Sequence, residues 1–146
     1  MRVLVDTPIW SLALRRKQKA LSPADRRLRY ELTELIVEGR IVMIGPIRQE
    51  ILSGIRELAV FEQLRLRLRS FDDEVLSADD HEEAARCTNL CRGTGIAGSP
   101  VDFLICAAAL RRGVPVFTSD ADFTRYAECL HLPLYLPRDR TPGSRA

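Results

Sequence analysis

Five carboxylates stand where the sequence changes from one kind of element to another: Asp6, Glu50, Asp102, Asp120 and Asp122. Asp6 closes the apolar run Val3-Leu4-Val5, and Asp120 and Asp122 follow Val116-Phe117-Thr118-Ser119. An acid at the carboxyl end of a parallel strand lies where open α/β sheets place their ligands. Asp102 is three residues past Ser99, and Ile105, Cys106 and Ala109 follow it on one helical face. Glu50 lies beside the stripe Ile47, Ile51 and Ile55 in a helix opened by Gly45-Pro46. Carboxylates brought together repel, and each raises its neighbours' pKa. A divalent cation removes that conflict, and hard oxygen donors suit Mg²⁺ or Mn²⁺. Two such ions about 4 Å apart activate a water and stabilise the leaving oxygen of a phosphodiester.

Each acid also has a structural explanation. Asp6, Thr7, Ser119, Asp120 and Asp122 can all cap a helix. Ser99-Pro100-Val101-Asp102 has the spacing of a capping box, with Pro at the first helical position. Glu50 can reach water from the rim of its helix. The case for chemistry rests on convergence, and competing chemistries are poorly supplied. His81 and His131 have no Ser or Cys partner in a recognisable pattern. Cys87, Cys91, Cys106 and Cys129 lack a second paired motif for zinc and read as buried, reduced thiols. The glycine-rich stretch 93–98 has no preceding strand and no Gly-Lys-Ser/Thr, so it reads as a flexible connection and not a phosphate loop.

The elements that must position these acids follow from periodicity. Strands are expected near 2–6, 41–44, 115–118 and 132–136, and 71–76 is either a short strand or an extended link. Helices alternate with them. One begins at Pro8, and another is opened by Ser22-Pro23-Ala24-Asp25 and carries Leu28, Leu32, Leu35 and Ile36 on one face. A helix over 58–69 turns Leu58, Phe61, Leu64 and Leu68 inward and Arg65, Arg67 and Arg69 outward, and with the helix before it forms an arm suited to a second subunit. Ser77 or Asp79 caps the next helix. A helix over 101–112 and a short one ending near Cys129 complete the series. The pattern predicts an α/β fold in three layers: a parallel sheet of four to five strands flanked by helices on both faces.

The chain has 146 residues, 46% of them hydrophobic and 29% charged, which bounds it to one soluble domain and argues against disorder. Residues 1–137 are expected to form that domain and 138–146 a disordered tail. The net charge of +2 permits a nucleic-acid partner without indicating one. With no membrane-length apolar run and no signal pattern, a cytoplasmic protein is expected. The basic loop of Arg15, Arg16, Lys17 and Lys19 follows the Asp6 unit, where a phosphodiester backbone would pass.

Val-Asp-Thr-Pro-Ile-Trp at 5–10, Gln-Glu-Ile-Leu-Ser-Gly at 49–54, Asp-Phe-Leu-Ile-Cys-Ala-Ala-Ala at 102–109 and Thr-Ser-Asp-Ala-Asp-Phe at 118–123 resemble, in order, the motifs of PIN-domain nucleases. The resemblance is greatest to the VapC-type toxins of toxin–antitoxin pairs and spans residues 2 to 136. It implies an Mg²⁺- or Mn²⁺-dependent endoribonuclease. The family's acids fall on Asp6, Glu50, Asp102 and Asp120, with Asp122 a variable fifth. Asp6, Asp102, Asp120 and Asp122 would hold metal, Glu50 would position the attacking water, and Thr7 and Thr118 would support the site. It further implies a homodimer and a cognate antitoxin whose tail covers the acidic groove. Pro8 after Asp-Thr and the glycine content of 93–98 depart from the family pattern, but neither removes an acid. Two other classes fit less well. A non-catalytic PIN-like module would bind RNA or protein without needing metal. A phosphoacceptor receiver domain needs an acidic neighbour for Asp6 and a late lysine, and no Lys follows Lys19.

Overall fold

A computed structural model describes residues 1–15 and 20–139. Its strands are β1 (Val3–Val5), β2 (Ile41–Ile44), β3 (Asp73–Glu74) and β4 (Val116–Phe117). Its helices are α1 (Thr7–Leu14), α2 (Pro23–Val37), α3 (Gly45–Leu52), α4 (Leu58–Leu68), α5 (Ala78–Gly93), α6 (Pro100–Arg112) and α7 (Asp122–Leu130). All pairings are parallel, in the order β3-β2-β1-β4. The register sets Leu4 beside both Val42 and Val116, and Val5 beside Phe117. Val3, Leu4 and Val5 are fully buried, as a central parallel strand covered on both faces requires.

The chain first builds outward from β1 through β2 to β3, then crosses to the other side of β1 to lay down β4. That reversal opens a crevice between the carboxyl ends of β1 and β4, the position at which doubly wound sheets bind ligands. Helices flank the sheet on both faces: α1 packs on α2 and α3, and α5 packs on α6 and α7. Trp10 is buried at the centre of the first group; its indole N–H donates to the Val5 carbonyl (3.1 Å) and its ring meets Phe71 edge-on.

Several elements differ from their sequence expectation. The strand expected at 132–136 is a single parallel bridge, Leu134 to Val116, because β4 is only two residues long and Pro133 contributes no N–H. The 71–76 stretch contains the two-residue edge strand β3. Leu58 points outward at 74% exposure, so the buried side of α4 is Leu64 and Leu68, with Phe61 half-buried. Ser77, and not Asp79, caps α5, and Asp80 reaches back to the Ser77 N–H (2.9 Å). At the C-terminal side, Arg138 is held by Glu31 (2.8 Å) and by Glu38, so the described chain is anchored past residue 137. Residues 140–146 lie outside the described residues.

Candidate active site

The acids are positioned by the ends of β1 and β4, by the first turn of α6 and by the second turn of α3. Asp6 is the N-cap of α1: its Oδ1 accepts the Thr7 N–H (2.8 Å) while its own N–H donates to the Phe117 carbonyl (2.9 Å). Capping and chemistry are therefore not alternatives here, since the second oxygen, Oδ2, accepts from the Thr118 hydroxyl (2.8 Å) across the crevice. Thr118 Oγ1 in turn accepts the Asp120 N–H (3.0 Å), which ties the turn after β4 to the acid after β1. Thr7 gives its hydroxyl to Glu50 Oε2 (2.8 Å), joining α1 to α3. Tyr126 OH donates to Asp102 Oδ2 (2.9 Å), joining α7 to α6.

Asp6, Glu50, Asp102 and Asp120 line one cavity of about 380 Å³, together with Thr7, Ser11, Asp25 and Ser119. Among the described residues, no Arg or Lys lines it. Acids elsewhere in the molecule are neutralised differently: Asp80 by Arg111 and Arg112, Glu31 and Glu38 by Arg138, Asp73 by Arg48, and Glu74 by Arg2 and Arg112. Among the described residues, Asp6, Glu50, Asp102 and Asp120 are instead held by hydroxyls and backbone N–H groups, which fix a carboxylate without cancelling its charge. The result is visible at Asp6, which is 4% exposed. Burial pushes its carboxyl up to about 6; the Thr118 and Thr7 bonds oppose that shift, and the charges of Glu50 and Asp102 add to it.

This donor set fits a hard divalent cation, being all oxygen and negatively charged. Among the described residues no three Asp, Glu, His or Cys side chains are already drawn around one point. A cation at these acids would thus keep several of its waters, as Mg²⁺ commonly does.

Other residues named from the sequence are placed elsewhere. Asp122 does not line the cavity; its carboxylate pairs with Arg125 (2.9 Å), and its backbone N–H donates to Asp120 Oδ1 (2.9 Å). Its link to the site is through that N–H. Arg15 lines a separate hollow with Ile55, Arg56 and Val60. Arg16, Lys17 and Lys19 lie outside the described residues. Neither His81 nor His131 lines the cavity. All four cysteines are unbridged, and three of them are buried.

The sequence reading did not find Tyr126. Phe123, Tyr126 and Leu130 recur at helical spacing and are all buried, so the tyrosine looks like core. The available signal was its hydroxyl, since a buried phenol requires a partner. Asp25, in the stretch Ser22-Pro23-Ala24-Asp25 that opens α2, also lies on the cavity wall.

A family model described as PIN domain matches residues 3–128. The chain is 30% identical over 134 residues to Ribonuclease VapC11 of Mycobacterium tuberculosis, and equally to a VapC ribonuclease of Mycobacterium bovis. Each alignment covers 89% of this chain and 95% of the relative. Among solved structures, FitAcB from Neisseria gonorrhoeae has a TM-score of 0.72 at 18% identity, covering 92% of this chain and 97% of that one. VapBC2 from Rickettsia felis, bound to a DNA fragment from its promoter, has a TM-score of 0.71 at 18% identity, covering 92% and 98%. At that identity the structural likeness speaks to the fold.

Proposed function

The chain belongs to the PIN-domain family, and from that premise we propose that it is a divalent-metal-dependent endoribonuclease acting as the toxin of a toxin–antitoxin pair. One observation carries the reading: four acids share a cavity at the switch point of the sheet, held, among the described residues, by hydroxyls and backbone N–H groups and not by arginine or lysine. The ribonuclease names of its relatives support the same chemistry.

Asp6, Asp102 and Asp120 would hold Mg²⁺ or Mn²⁺, directly or through water. When bound, the ion lowers the pKa of a water and offsets charge on the departing oxygen. Glu50 accepts the Thr7 hydroxyl with one oxygen, leaving the other to orient the attacking water and take its proton. Thr118 keeps Asp6 aimed across the crevice and holds the Asp120 backbone against it. Asp122 acts through its N–H on Asp120 and not as a ligand. Arg15, Arg16, Lys17 and Lys19 are proposed to steer the RNA backbone.

The partners proposed are an RNA substrate, a cognate antitoxin and a second copy of the chain. α4 leaves Leu58, Val60 and Leu66 individually in solvent, the last at 61% exposure. The solved VapBC2 neighbour is consistent with an antitoxin for this chain too. No helix among the described residues is long and apolar enough to cross a membrane.

The test is cleavage of total bacterial RNA by purified protein with Mg²⁺, with Mn²⁺ and with EDTA. Discrete fragments are expected with either metal and none with EDTA. Asp6→Asn and Asp102→Asn should lower the rate by a factor of about 100 or more, on the scale of one electrostatic catalytic group. Intact RNA under every metal, from folded protein free of inhibitor, would favour a non-catalytic binding module.

A further inference from the structure

Three helices open with the same local pattern, Ser-x-x-Asp: α2 at Ser22 to Asp25, α5 at Ser77 to Asp80 and α6 at Ser99 to Asp102; α5 and α6 differ in what the acid bonds. At α5 the box closes, and Asp80 accepts the Ser77 N–H (2.9 Å). At α6 only half of it forms: Ser99 Oγ accepts the Asp102 N–H (3.1 Å), but the Asp102 side chain turns instead to the Tyr126 hydroxyl (2.9 Å). Asp102 thus makes a tertiary bond where Asp80 makes the local one.

The tertiary partner has a seat built for it. Tyr126 is 1% exposed and packs between Phe103 and Phe123, each ring centroid 5.1 Å away. A phenylalanine would pack there equally well, so the ring alone does not explain the hydroxyl. Room for the hydroxyl depends on Gly98: a Cβ at that position would lie 2.4 Å from the phenol oxygen and 2.8 Å from Cζ. Gly98 does not adopt a left-handed φ, so the backbone does not demand glycine. The last residue of the glycine-rich stretch is small because Tyr126 reaches past it. This replaces the expectation of a merely flexible connection for that residue.

We propose that Tyr126, admitted by Gly98, is the positioning residue of Asp102: its hydroxyl occupies one carboxylate oxygen, keeps the side chain from closing the α6 capping box, and so presents the other oxygen to a divalent cation. The inference rests on the reading of the cavity as a cation site. Tyr126 touches neither water nor substrate in this role. It acts through Asp102, as partners of metal-binding carboxylates do.

The test is Mn²⁺ binding by electron paramagnetic resonance on wild type, Tyr126→Phe, Gly98→Ala, the double variant and Asp102→Asn, beside urea unfolding of each metal-free protein. Tyr126→Phe should weaken Mn²⁺ binding about tenfold, the low end of the usual range for such partners. Its unfolding midpoint should barely move, because Asp102 can complete its capping box instead. In RNA cleavage the loss should appear in the metal concentration needed, with kcat recovering at saturating Mn²⁺. Gly98→Ala should give a similar loss, and the double variant no more than the larger single one, since both break one contact. Wild-type Mn²⁺ affinity in Tyr126→Phe, with Asp102→Asn weakened, would overturn the positioning role and leave the cation site standing. A wild type that binds no Mn²⁺ better than Asp102→Asn would overturn both.

Discussion

Asp6 concentrates the conflict that the site must resolve. Its carboxyl is raised from 3.8 to about 6, first because burial strips its water. An acid whose folded pKa lies above its unfolded value supports the fold most when protonated. That support is complete below the unfolded pKa of about 3.9 and is lost as pH rises through the folded value near 6. In metal-free protein at about pH 7.5, Asp6→Asn should therefore raise the thermal midpoint, by roughly 2–6 °C for a domain of this size. Near pH 4 the gain should disappear. Saturating Mn²⁺ reverses the order, stabilising wild type and leaving Asp6→Asn unmoved. Scanning fluorimetry at the two pH values, with and without Mn²⁺, reads all of this. A metal-free Asp6→Asn that melts below wild type at about pH 7.5 would contradict the burial account.

Among the elements, α5 and α6 carry a structural ionic node that is chemically the opposite of the active site. Asp80 is fully buried, closes the α5 capping box and meets Arg111 (2.7 Å) and Arg112 (2.8 Å) at the end of α6. Arg112 also reaches Glu74 on β3, so one arginine joins two helices and the edge strand. The Arg112 guanidinium, aided by the Ser77 N–H and Arg111, holds the Asp80 carboxyl well below the usual range against the opposing effect of burial. Its contribution is thus present above the unfolded pKa and is lost as pH falls below it. Asp80→Asn should cost about 3 kcal/mol at neutral pH, the low end for a broken buried pair, because Arg111 can still turn to water. Urea unfolding measures it, and the gap between wild type and variant should narrow below about pH 4. RNA cleavage by whatever fraction remains folded should be unchanged, since Asp80 does not line the cavity.

On the scale of the molecule, the chain closes on itself through its C-terminal segment. Glu31 is 1% exposed and sits in the middle of α2, where it accepts from Tyr135 OH (2.9 Å) and from Arg138 Nε (2.8 Å). Arg138 also grips Glu38 at the C-cap of α2, which pulls that carboxyl down to about 2. A protein shortened to Pro137 strands a buried carboxylate with one neutral donor, whereas one shortened to Asp139 does not. The first should lose about 3 kcal/mol of stability by urea unfolding and the second almost none. Equal stability of the two would place the functional boundary of the domain at 137 after all.

Much of this molecule is legible in one dimension. Val-Leu-Val before Asp6 and Val-Phe before Thr118 mark strands buried on both faces, and Pro and Gly punctuate the helices, because backbone preference and hydrophobic period act over a few residues. The four acids could be named for the same reason: Asp6 and Asp120 follow strands and Glu50 and Asp102 lie early in helices that local pattern reveals, and the order of these elements allows one sheet edge. Tertiary structure decided what each acid is bonded to. Ser77-x-x-Asp80 and Ser99-x-x-Asp102 are locally alike, yet one acid is cancelled by two arginines and the other is turned into a cavity by a phenol 24 residues away. Asp122 has a motif acid's spacing, and its carboxylate pairs with Arg125 on the surface. Spacing along a chain specifies where a carboxylate begins. Whether its charge is spent on a neighbour or kept for a cation depends on groups that only folding brings within 3 Å.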